Sequence, residues 1–483
     1  MTRKKIILVS FLLILGVIFL VSLASELFSD RVAILTTGIL ILCISLSVIF
    51  ERISHFGISD PVSIFLSFFM LYNGSVLVSS SFFVDSGSFS IGLFPMTFRS
   101  ETLAYSGVLS LLALCGLLLG SKIIRLSNHD SRSKCDEVKL HRLNPGLLMF
   151  VGLIFYVAGI LMYLYCFRAV GGFFASLSMD RSLRLAILGE SLSLPYPGFV
   201  LSGIGAVFFA SIATKRKFYF SISLLCLALW SALILLQGDR RFFVYSLMIV
   251  LVIWAMLYAD RVIKMLSFRK LISIFLVLLM LIAMLSVFSA VRFLIPVLFT
   301  GYWNLEESIA WIRSNFSIDW FVPARTEFGA PYFSLLYNVQ NKGDLLLGSS
   351  YVFSIPNILP ESLYPGTKPD FLANIFARRI HDEFYTEKDL VKGWGYSPVA
   401  EAFQNFGFYG VFFVFLLLGL LLEVLCTLRH RNVFLSLVFV ASVPEMLNLN
   451  RMCFAPVVQE YIFLLVPFTM LYFFYRLLSV GKT

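Results

Sequence analysis

Long apolar stretches alternate with short polar segments along almost the whole chain. A membrane-spanning helix requires about 20 mostly apolar residues, and backbone polar groups in lipid must be hydrogen-bonded within the segment. These two requirements predict a transmembrane helix wherever such a stretch occurs. Twelve stretches qualify, at residues 6–26, 32–50, 61–80, 102–121, 146–167, 196–214, 217–236, 241–259, 271–291, 408–427, 432–448 and 457–477.

A long polar segment separates the ninth span from the tenth. The pattern therefore predicts an all-α polytopic membrane protein with about 12 transmembrane helices. Residues 1–291 are expected to form a nine-helix N-terminal membrane region, and residues 408–483 a three-helix C-terminal membrane region. Residues 292–407 form a large outer loop with short amphipathic helices. We expect the three parts to build one integral membrane domain.

The first apolar stretch allows two interpretations. Arg3, Lys4 and Lys5 precede 21 apolar residues, and residues 22–24 resemble the small-residue cleavage site of a signal peptide. The apolar run is long for a signal peptide, and a second span follows at once. We therefore expect a retained helix.

Composition supports the membrane class. Hydrophobic residues make up 59% of the chain and charged residues 14%, whereas soluble globular proteins are about 45–50% apolar and about 25% charged. This excludes an ordinary soluble enzyme, a disordered chain and a collagen-like chain. The chain contains 51 Phe but only 6 Trp. This ratio indicates large apolar side chains that face lipid and gives no support for aromatic stacking on nucleic acid.

The net charge of +10 is mainly a signal of orientation. With the N-terminus inside, the short inner segments hold 21 Lys and Arg and the short outer loops hold 8. Inner loops of membrane proteins are enriched in Lys and Arg, and long segments such as 292–400 are exempt from this rule. The distribution predicts that both termini lie inside, and it makes a nucleic-acid partner unnecessary.

Polar residues that could bind a substrate or take part in a reaction gather on the predicted outer face. This face holds 21 of the 28 acidic residues. Arg240 and Arg241 follow a tight turn between the seventh and eighth spans. Arginine forms bidentate hydrogen bonds to phosphate oxygens, and the start of a helix attracts an anion. The pair therefore suggests an anion site. The alternative is two side chains that reach toward lipid headgroups.

A second polar turn, Asn448-Leu449-Asn450-Arg451, joins the last two spans. Glu445 precedes it, and Gln459 and Glu460 follow it. Polar groups at membrane depth usually face a cavity or a partner. The alternative is a satisfied hydrogen-bond network between helices.

The outer segment contains two further candidates. Four prolines between 356 and 369 predict an extended stretch, after which a short amphipathic helix over 371–385 places Asn374, Arg378, His381 and Asp382 on one face. A helix that only lies at the membrane surface would show the same pattern without any catalytic or binding role. Glu401 follows a Gly/Pro-rich loop at the start of a helix, where a carboxylate tends to stay ionised and can act as a general base.

Cofactor motifs are missing from the sequence. It contains no nucleotide-binding P-loop, no HExxH and no GxSxG, and the seven Cys have no zinc-like spacing. The clusters at 381–383 and 387–389 are weak candidates for metal ligands, so we predict neither a metal nor a cofactor. Glu423 is the only charge deep in a span, whereas transporters often carry several.

Four short segments add a family resemblance to this layout. They are the outer arginine turn, the Pro-rich stretch, the Gly/Pro loop that leads through Glu401 into a helix, and the second polar turn, at residues 237–241, 355–366, 395–410 and 448–451. Together they resemble the Wzy-type polymerases of O-antigen, enterobacterial common antigen and capsular repeat units. These are similar to the O-antigen ligases and to GT-C-like membrane glycosyltransferases.

The resemblance implies an enzyme of the bacterial inner membrane that works at its periplasmic or outer face. Such an enzyme transfers a growing glycan from undecaprenyl pyrophosphate onto a new lipid-linked repeat unit, without a nucleotide sugar. Its partners would be these lipid-linked oligosaccharides, membrane lipids and a chain-length regulator.

The implied chemistry gives each candidate residue a role. Arginines stabilise the charge of a departing pyrophosphate, and a carboxylate removes the proton of the acceptor hydroxyl. The hypotheses are pyrophosphate or acceptor ligands at Arg240, Arg241 and Arg451, an auxiliary clamp at Arg378, a general base at Glu401 or, as second choice, Asp382, and sugar contacts at Tyr396 and Asn405.

Three other functions stay open at this point. One is a purely structural or assembly role in the membrane, against which the clustered outer arginines argue. A ligase-like enzyme would share the fold, the face and the arginines, and its loss would remove all surface glycan instead of leaving single units. A flippase for lipid-linked oligosaccharides, or another transporter, would be expected to line its membrane interior with charges.

Overall fold

A computed structural model describes most of the two membrane regions and parts of the loop between them. The described residues are 30–85, 88–90, 96–127, 144–179, 195–214, 216–259, 294, 298, 304–315, 321–326, 328–341, 343–358, 364, 366–384, 395–429 and 431–480. The predicted spans at 6–26 and 271–291 lie outside them.

The described part of the chain is predominantly helical. Its main helices are α1 (Asp30–Phe56), α2 (Pro61–Ser81, with a π-helical turn at Met70–Gly74), α3 (Ser100–Ser127), α4 (Pro145–Cys166), α5 (Tyr196–Thr214), α6 (Lys217–Leu236), α7 (Arg241–Trp254), α8 (Leu305–Asn315), α9 (Gly329–Gln340), α10 (Leu372–Phe384), α11 (Pro398–Leu428), α12 (Val433–Asn448) and α13 (Phe454–Val480). Short helical turns occur at Phe167–Val170, Phe173–Leu177, Ala255–Ala259, Pro323–Arg325, Ser349–Val352 and Ser354–Ile358.

Ten of the twelve predicted spans coincide with described helices. Eight of these are long and apolar enough to cross a membrane, and α7 and α12 are shorter apolar helices. The prediction of a polytopic helical membrane protein is confirmed. The count of twelve and the orientation stay predictions.

Three short strands depart from the all-helical expectation. Val84–Asp85, Ser88–Ser90 and Thr97–Arg99 form an antiparallel sheet in the connection between α2 and α3. The side chain of Phe98 is buried, and its ring packs edge-to-face on Phe333 of α9 at 5.3 Å. This contact fixes the connection against the outer segment.

Glycines bring α3 and α11 into close contact. A Cβ atom on Gly120 would lie 2.0 Å from the Leu416 carbonyl oxygen, and one on Gly419 would lie 2.1 Å from the Leu117 carbonyl oxygen. Gly116 and Gly120 have the small-xxx-small spacing that lets membrane helices approach closely. The predicted N-terminal and C-terminal membrane regions therefore pack directly on each other.

A buried ion network joins four helices at one end of the bundle. The Arg52 guanidinium lies 2.7 Å from Asp60 Oδ2 and 2.8 Å from Glu423 Oε2, and Ser121 Oγ donates to Glu423 at 2.8 Å. Burial alone would raise the pKa of Asp60, but its hydrogen bond and ion pair with Arg52 hold that pKa below the usual value. Glu423, the charge deep in a predicted span, is thus paired inside the protein.

Candidate functional site

The other end of the bundle brings three helix ends together. Arg241 is the first residue of α7, Asn448 is the last residue of α12, and Glu460 lies in the second turn of α13. The tight turn before α7 places Arg241 there, because Gly238 adopts a positive φ of 70° and Asp239 Oδ1 accepts a hydrogen bond from the Arg241 N–H. We call this the arginine end.

Arg241 and Glu460 form the central ion pair of the arginine end. The distance from Arg241 Nη1 to Glu460 Oε1 is 2.5 Å, and the two side chains are 31% and 25% exposed. The Arg241 guanidinium also lies over the Phe242 ring, 4.5 Å from its centroid. Tyr245 donates its hydroxyl proton to Glu460 Oε2 at 3.3 Å. The pair is therefore held in place while part of it stays accessible.

The amide of Asn448 links this pair to a second carboxylate and a second arginine. Its Nδ2 donates to Glu445 Oε2 and to Glu460 Oε2, both at 2.9 Å. Its Oδ1 accepts from Arg451 Nε at 3.2 Å. Two arginines that are 210 residues apart along the chain thus share one network. We call Arg241, Glu445, Asn448, Arg451 and Glu460 the arginine–carboxylate cluster.

Glu445 has an open hydrogen-bonding site inside this cluster. The residue is only 3% exposed, and among the described residues its Oε1 has no hydrogen-bond partner. A buried polar atom without a partner is costly, so such an atom often marks a place where another molecule binds.

A second network surrounds Glu401 at the start of α11. Glu401 is 1% exposed, and its two oxygens accept from Ser350 Oγ and from the Phe454 N–H, each at 2.6 Å. Asn405 Nδ2 donates to Ser350 Oγ at 2.7 Å and to the Glu401 carbonyl at 2.8 Å. Glu401 and Asn405 therefore tie α11 to the turn at Ser349–Val352 and to the start of α13.

The loop at Gly395 and Tyr396 connects the two networks. The Tyr396 N–H donates to the Arg451 carbonyl at 2.9 Å. A Cβ atom on Gly395, whose φ is 75°, would lie 2.8 Å from the same oxygen, so only glycine permits this approach. Burial raises the pKa of the Tyr396 phenol, which stays protonated and donates to Gln404 Oε1.

The other candidate residues lie immediately before α7 and on α10. Arg240 immediately precedes α7, and its carbonyl accepts from the Val244 N–H at 3.0 Å. Arg378 is on α10, where its side chain is 54% exposed and its Nη2 lies 2.8 Å from Asp370 Oδ2. The Asp382 side chain is 84% exposed on the same helix. The structure thus places Arg378 and Asp382 on a solvent-facing surface of α10.

One prediction for α10 was wrong. His381 was expected on the polar face with Arg378 and Asp382, but it is only 6% exposed. It follows the buried Ile380 and lies one turn after Ala377, so it falls at the edge of the face that packs inward.

Sequence reasoning noted Glu445 and Glu460 only as neighbours of the polar turn. It missed Ser350 and Asn338, which hold Glu401 and Tyr396. Their position near helix ends was the one sequence feature that could have marked both glutamates as site residues. Which side chains they would meet depended on the packing of α7 against α12 and α13.

An apolar cavity lies between α4, α5, α7, α12 and α13. The three helices that carry the cluster residues Arg241, Glu445 and Glu460 also line this cavity further along their length. Its walls include Gly205, Ala206, Ile253, Val440, Phe468 and Tyr475.

Within the described ranges, no group of three or more His, Cys, Asp or Glu side chains is arranged to hold a metal ion. The weak candidate at 387–389 lies outside those ranges.

Comparison with known proteins gives one result for nearly the whole chain. The family model described as O-antigen polysaccharide polymerase Wzy matches residues 5–482. Searches of curated proteins and of solved structures gave no match.

Proposed function

Because the chain belongs to the O-antigen polysaccharide polymerase Wzy family, we propose that it is a membrane glycosyltransferase that joins undecaprenyl-pyrophosphate-linked repeat units. The growing glycan moves from its lipid pyrophosphate onto the sugar of a new lipid-linked unit. The products would be an O-antigen-type, common-antigen or capsular polysaccharide.

The convergence of Arg241 and Arg451 carries this proposal. A departing lipid pyrophosphate concentrates negative charge, and a pair of guanidiniums can receive it with several charge-assisted hydrogen bonds. The two arginines come from distant turns and share the amide of Asn448. We assign both to the pyrophosphate, with Arg240 beside them as a further ligand.

We place the reaction at the periplasmic or outer face of the inner membrane. The support is the charge distribution, because short segments assigned to the opposite side carry 21 Lys and Arg against 8 on this side. A lipid pyrophosphate would reach the arginine end along the membrane surface.

Part of the donor's polyprenyl chain would occupy the apolar cavity. Val440 and Phe468 in its wall lie five and eight residues from Glu445 and Glu460 along α12 and α13. At about 1.5 Å per residue, the cavity begins about 8–12 Å from the cluster along the helix axes. Its apolar walls suit a hydrocarbon chain whose pyrophosphate is held at the arginine end.

The remaining sequence candidates receive supporting roles. Glu401 was the first choice for the general base, yet its buried oxygens already accept two hydrogen bonds. We propose that Glu401, Tyr396 and Asn405 position the start of α13 and the Arg451 turn. Arg378 and Asp382 on α10 would contact the incoming glycan, and a chain-length regulator is the protein partner that the family implies.

The test is synthesis from a defined substrate. Purified protein is incubated with an undecaprenyl-pyrophosphate-linked repeat unit, with and without a chelator. We expect a ladder of products, and the chelator arm measures metal dependence. A flippase or a ligase-like enzyme would give no ladder from this single substrate.

Substitution of the arginines provides the corresponding test in cells. Arg241→Ala and Arg451→Ala should each abolish polymer and leave single repeat units on the surface. Long polymer from a variant that lacks both arginines would contradict the pyrophosphate assignment.

A further inference from the structure

We propose that Glu460 is the catalytic base that removes the proton from the acceptor hydroxyl, and that Glu445 and Asn448 position it. The inference rests on the proposed function, because it names a residue for that reaction. Neither carboxylate was among the bases suggested by the sequence.

Glu460 has the position that a base requires. It lies between the pyrophosphate-binding Arg241 and the amide of Asn448, and its side chain is 25% exposed. A general base must come within hydrogen-bond reach of the proton that it removes. A sugar hydroxyl beside a pyrophosphate on Arg241 meets this carboxylate first.

The ion pair with Arg241 makes the base depend on the donor substrate. In the described structure, Glu460 Oε1 accepts a hydrogen bond from Arg241 Nη1 at 2.5 Å. A pyrophosphate forms bidentate hydrogen bonds with arginine and competes for the same N–H groups. Donor binding therefore weakens the hold of Arg241 on Glu460 and frees Oε1 for the acceptor hydroxyl.

Glu445 gives this site a second point of contact. Its Oε2 shares the Asn448 amide with Glu460, and its buried Oε1 has no hydrogen-bond partner among the described residues. A neighbouring hydroxyl of the acceptor sugar can donate to that oxygen. The acceptor would then be held at two points, which orients the attacking oxygen.

The reaction step balances without a co-reactant. The acceptor hydroxyl gives its proton to Glu460 Oε1, and its oxygen forms a bond to the anomeric carbon of the donor. The bond from that carbon to the pyrophosphate oxygen breaks, and its electron pair leaves with undecaprenyl pyrophosphate. The proton on Glu460 then passes to water.

The decisive experiment is chemical rescue in the ladder assay. Glu460→Ala should lower the rate of transfer by roughly 10²–10⁴-fold, the usual contribution of a general base. Sodium formate should raise the transfer rate of the Glu460→Ala protein at least about tenfold. The reason is that a small carboxylate can enter the space left by the side chain and accept the proton. Glu401→Ala should show no rescue, and Glu306→Ala on exposed α8 serves as the matched control with wild-type rates.

A second variant covers the case in which Glu460→Ala does not fold. Glu460→Asp keeps the carboxylate but moves it away by one methylene, so it should bind donor like the wild type and lose at least about tenfold in rate. The inference is overturned if Glu460→Ala stays within tenfold of wild type, if formate fails to rescue a folded Glu460→Ala protein, or if Glu460→Asp is fully active. Failure of the wild-type protein to form a ladder would instead contradict the proposed function.

Discussion

At the scale of single residues, the meaning of each charge depends on its partner. Arg241 and Arg52 are both paired with glutamates, at 2.5 Å and 2.8 Å. The Arg52 side chain is only 3% exposed, so a ligand cannot reach it. The Arg241 side chain is 31% exposed, and a ligand can compete for it. This difference separates a structural ion pair from a candidate binding site.

A conservative substitution can test whether the Arg241 guanidinium forms bidentate hydrogen bonds to phosphate. Arg241→Lys keeps the positive charge but loses bidentate hydrogen bonding to phosphate. One charge-assisted hydrogen bond contributes about 1.5–3 kcal/mol, so the rate of polymerisation should fall roughly 10–100-fold. The rate is measured in the ladder assay, with Arg313→Lys on α8 as the control. Wild-type activity of Arg241→Lys would argue against a bidentate phosphate contact.

At the scale of helices, small residues and buried ion pairs decide which helices are neighbours. Gly120 and Gly419 allow backbone contact between α3 and α11, and Arg52 joins α1 and α11 at one end of the bundle. Lipid gives no hydrophobic force that drives one helix toward another. Close packing and polar pairing therefore carry most of the specificity.

The glycine contact predicts a strong effect of added bulk. Gly120→Leu and Gly419→Leu would place side chains against backbone atoms of the partner helix, so α3 and α11 must separate. We expect a lower melting temperature in detergent and a lower yield of folded protein. Gly343→Ala is the control, because a Cβ atom there meets nothing within 4 Å. Unchanged melting of both leucine variants would contradict the observed packing.

The Arg52 network predicts both a loss of stability and a change in its pH dependence. Arg52→Leu removes the guanidinium that pairs with two buried carboxylates, which typically costs about 3–5 kcal/mol. The pKa of Asp60 is lowered in the folded protein, so its stabilising contribution is present at neutral pH and is lost as the pH falls through the folded pKa. Thermal unfolding across pH should show this acid loss in the wild type, and a weaker one in Arg52→Leu. Equal acid sensitivity of both proteins would contradict it.

At the scale of the whole molecule, the bundle combines a charged end with an apolar interior cavity. The same helices, α7, α12 and α13, contribute to both features. A substrate with a charged pyrophosphate and a long hydrocarbon chain matches this combination. The fold thus aligns the two parts of such a substrate along the helix axes.

Filling the cavity tests this alignment. Leu437→Trp places an indole in the cavity wall and should raise KM for an undecaprenyl-linked repeat unit several-fold. A substrate with a much shorter polyprenyl chain should be less affected, because it does not extend as far. Leu225→Trp is the control, since Leu225 is 67% exposed on α6. Equal effects on both substrates would place the chain elsewhere.

The sequence by itself determined the class of protein, the positions of ten described helices and the resemblance to a family whose model matches residues 5–482. These features are local, because a window of about 20 apolar residues decides whether a segment can span a membrane. It also marked Arg241 and Arg451 from their position in tight turns.

Only the tertiary structure decided which polar groups meet. It joined Glu460 to Arg241 and Asn448, and it buried Glu401 against Ser350 and the start of α13. Spacing along the chain contains no information on these contacts, because lateral neighbours in a bundle are chosen by shape and polar pairing between distant helices. Glu401, at the start of α11, is therefore buried and connects α11 to α13. Glu460, in the second turn of α13, lies at the centre of the candidate site.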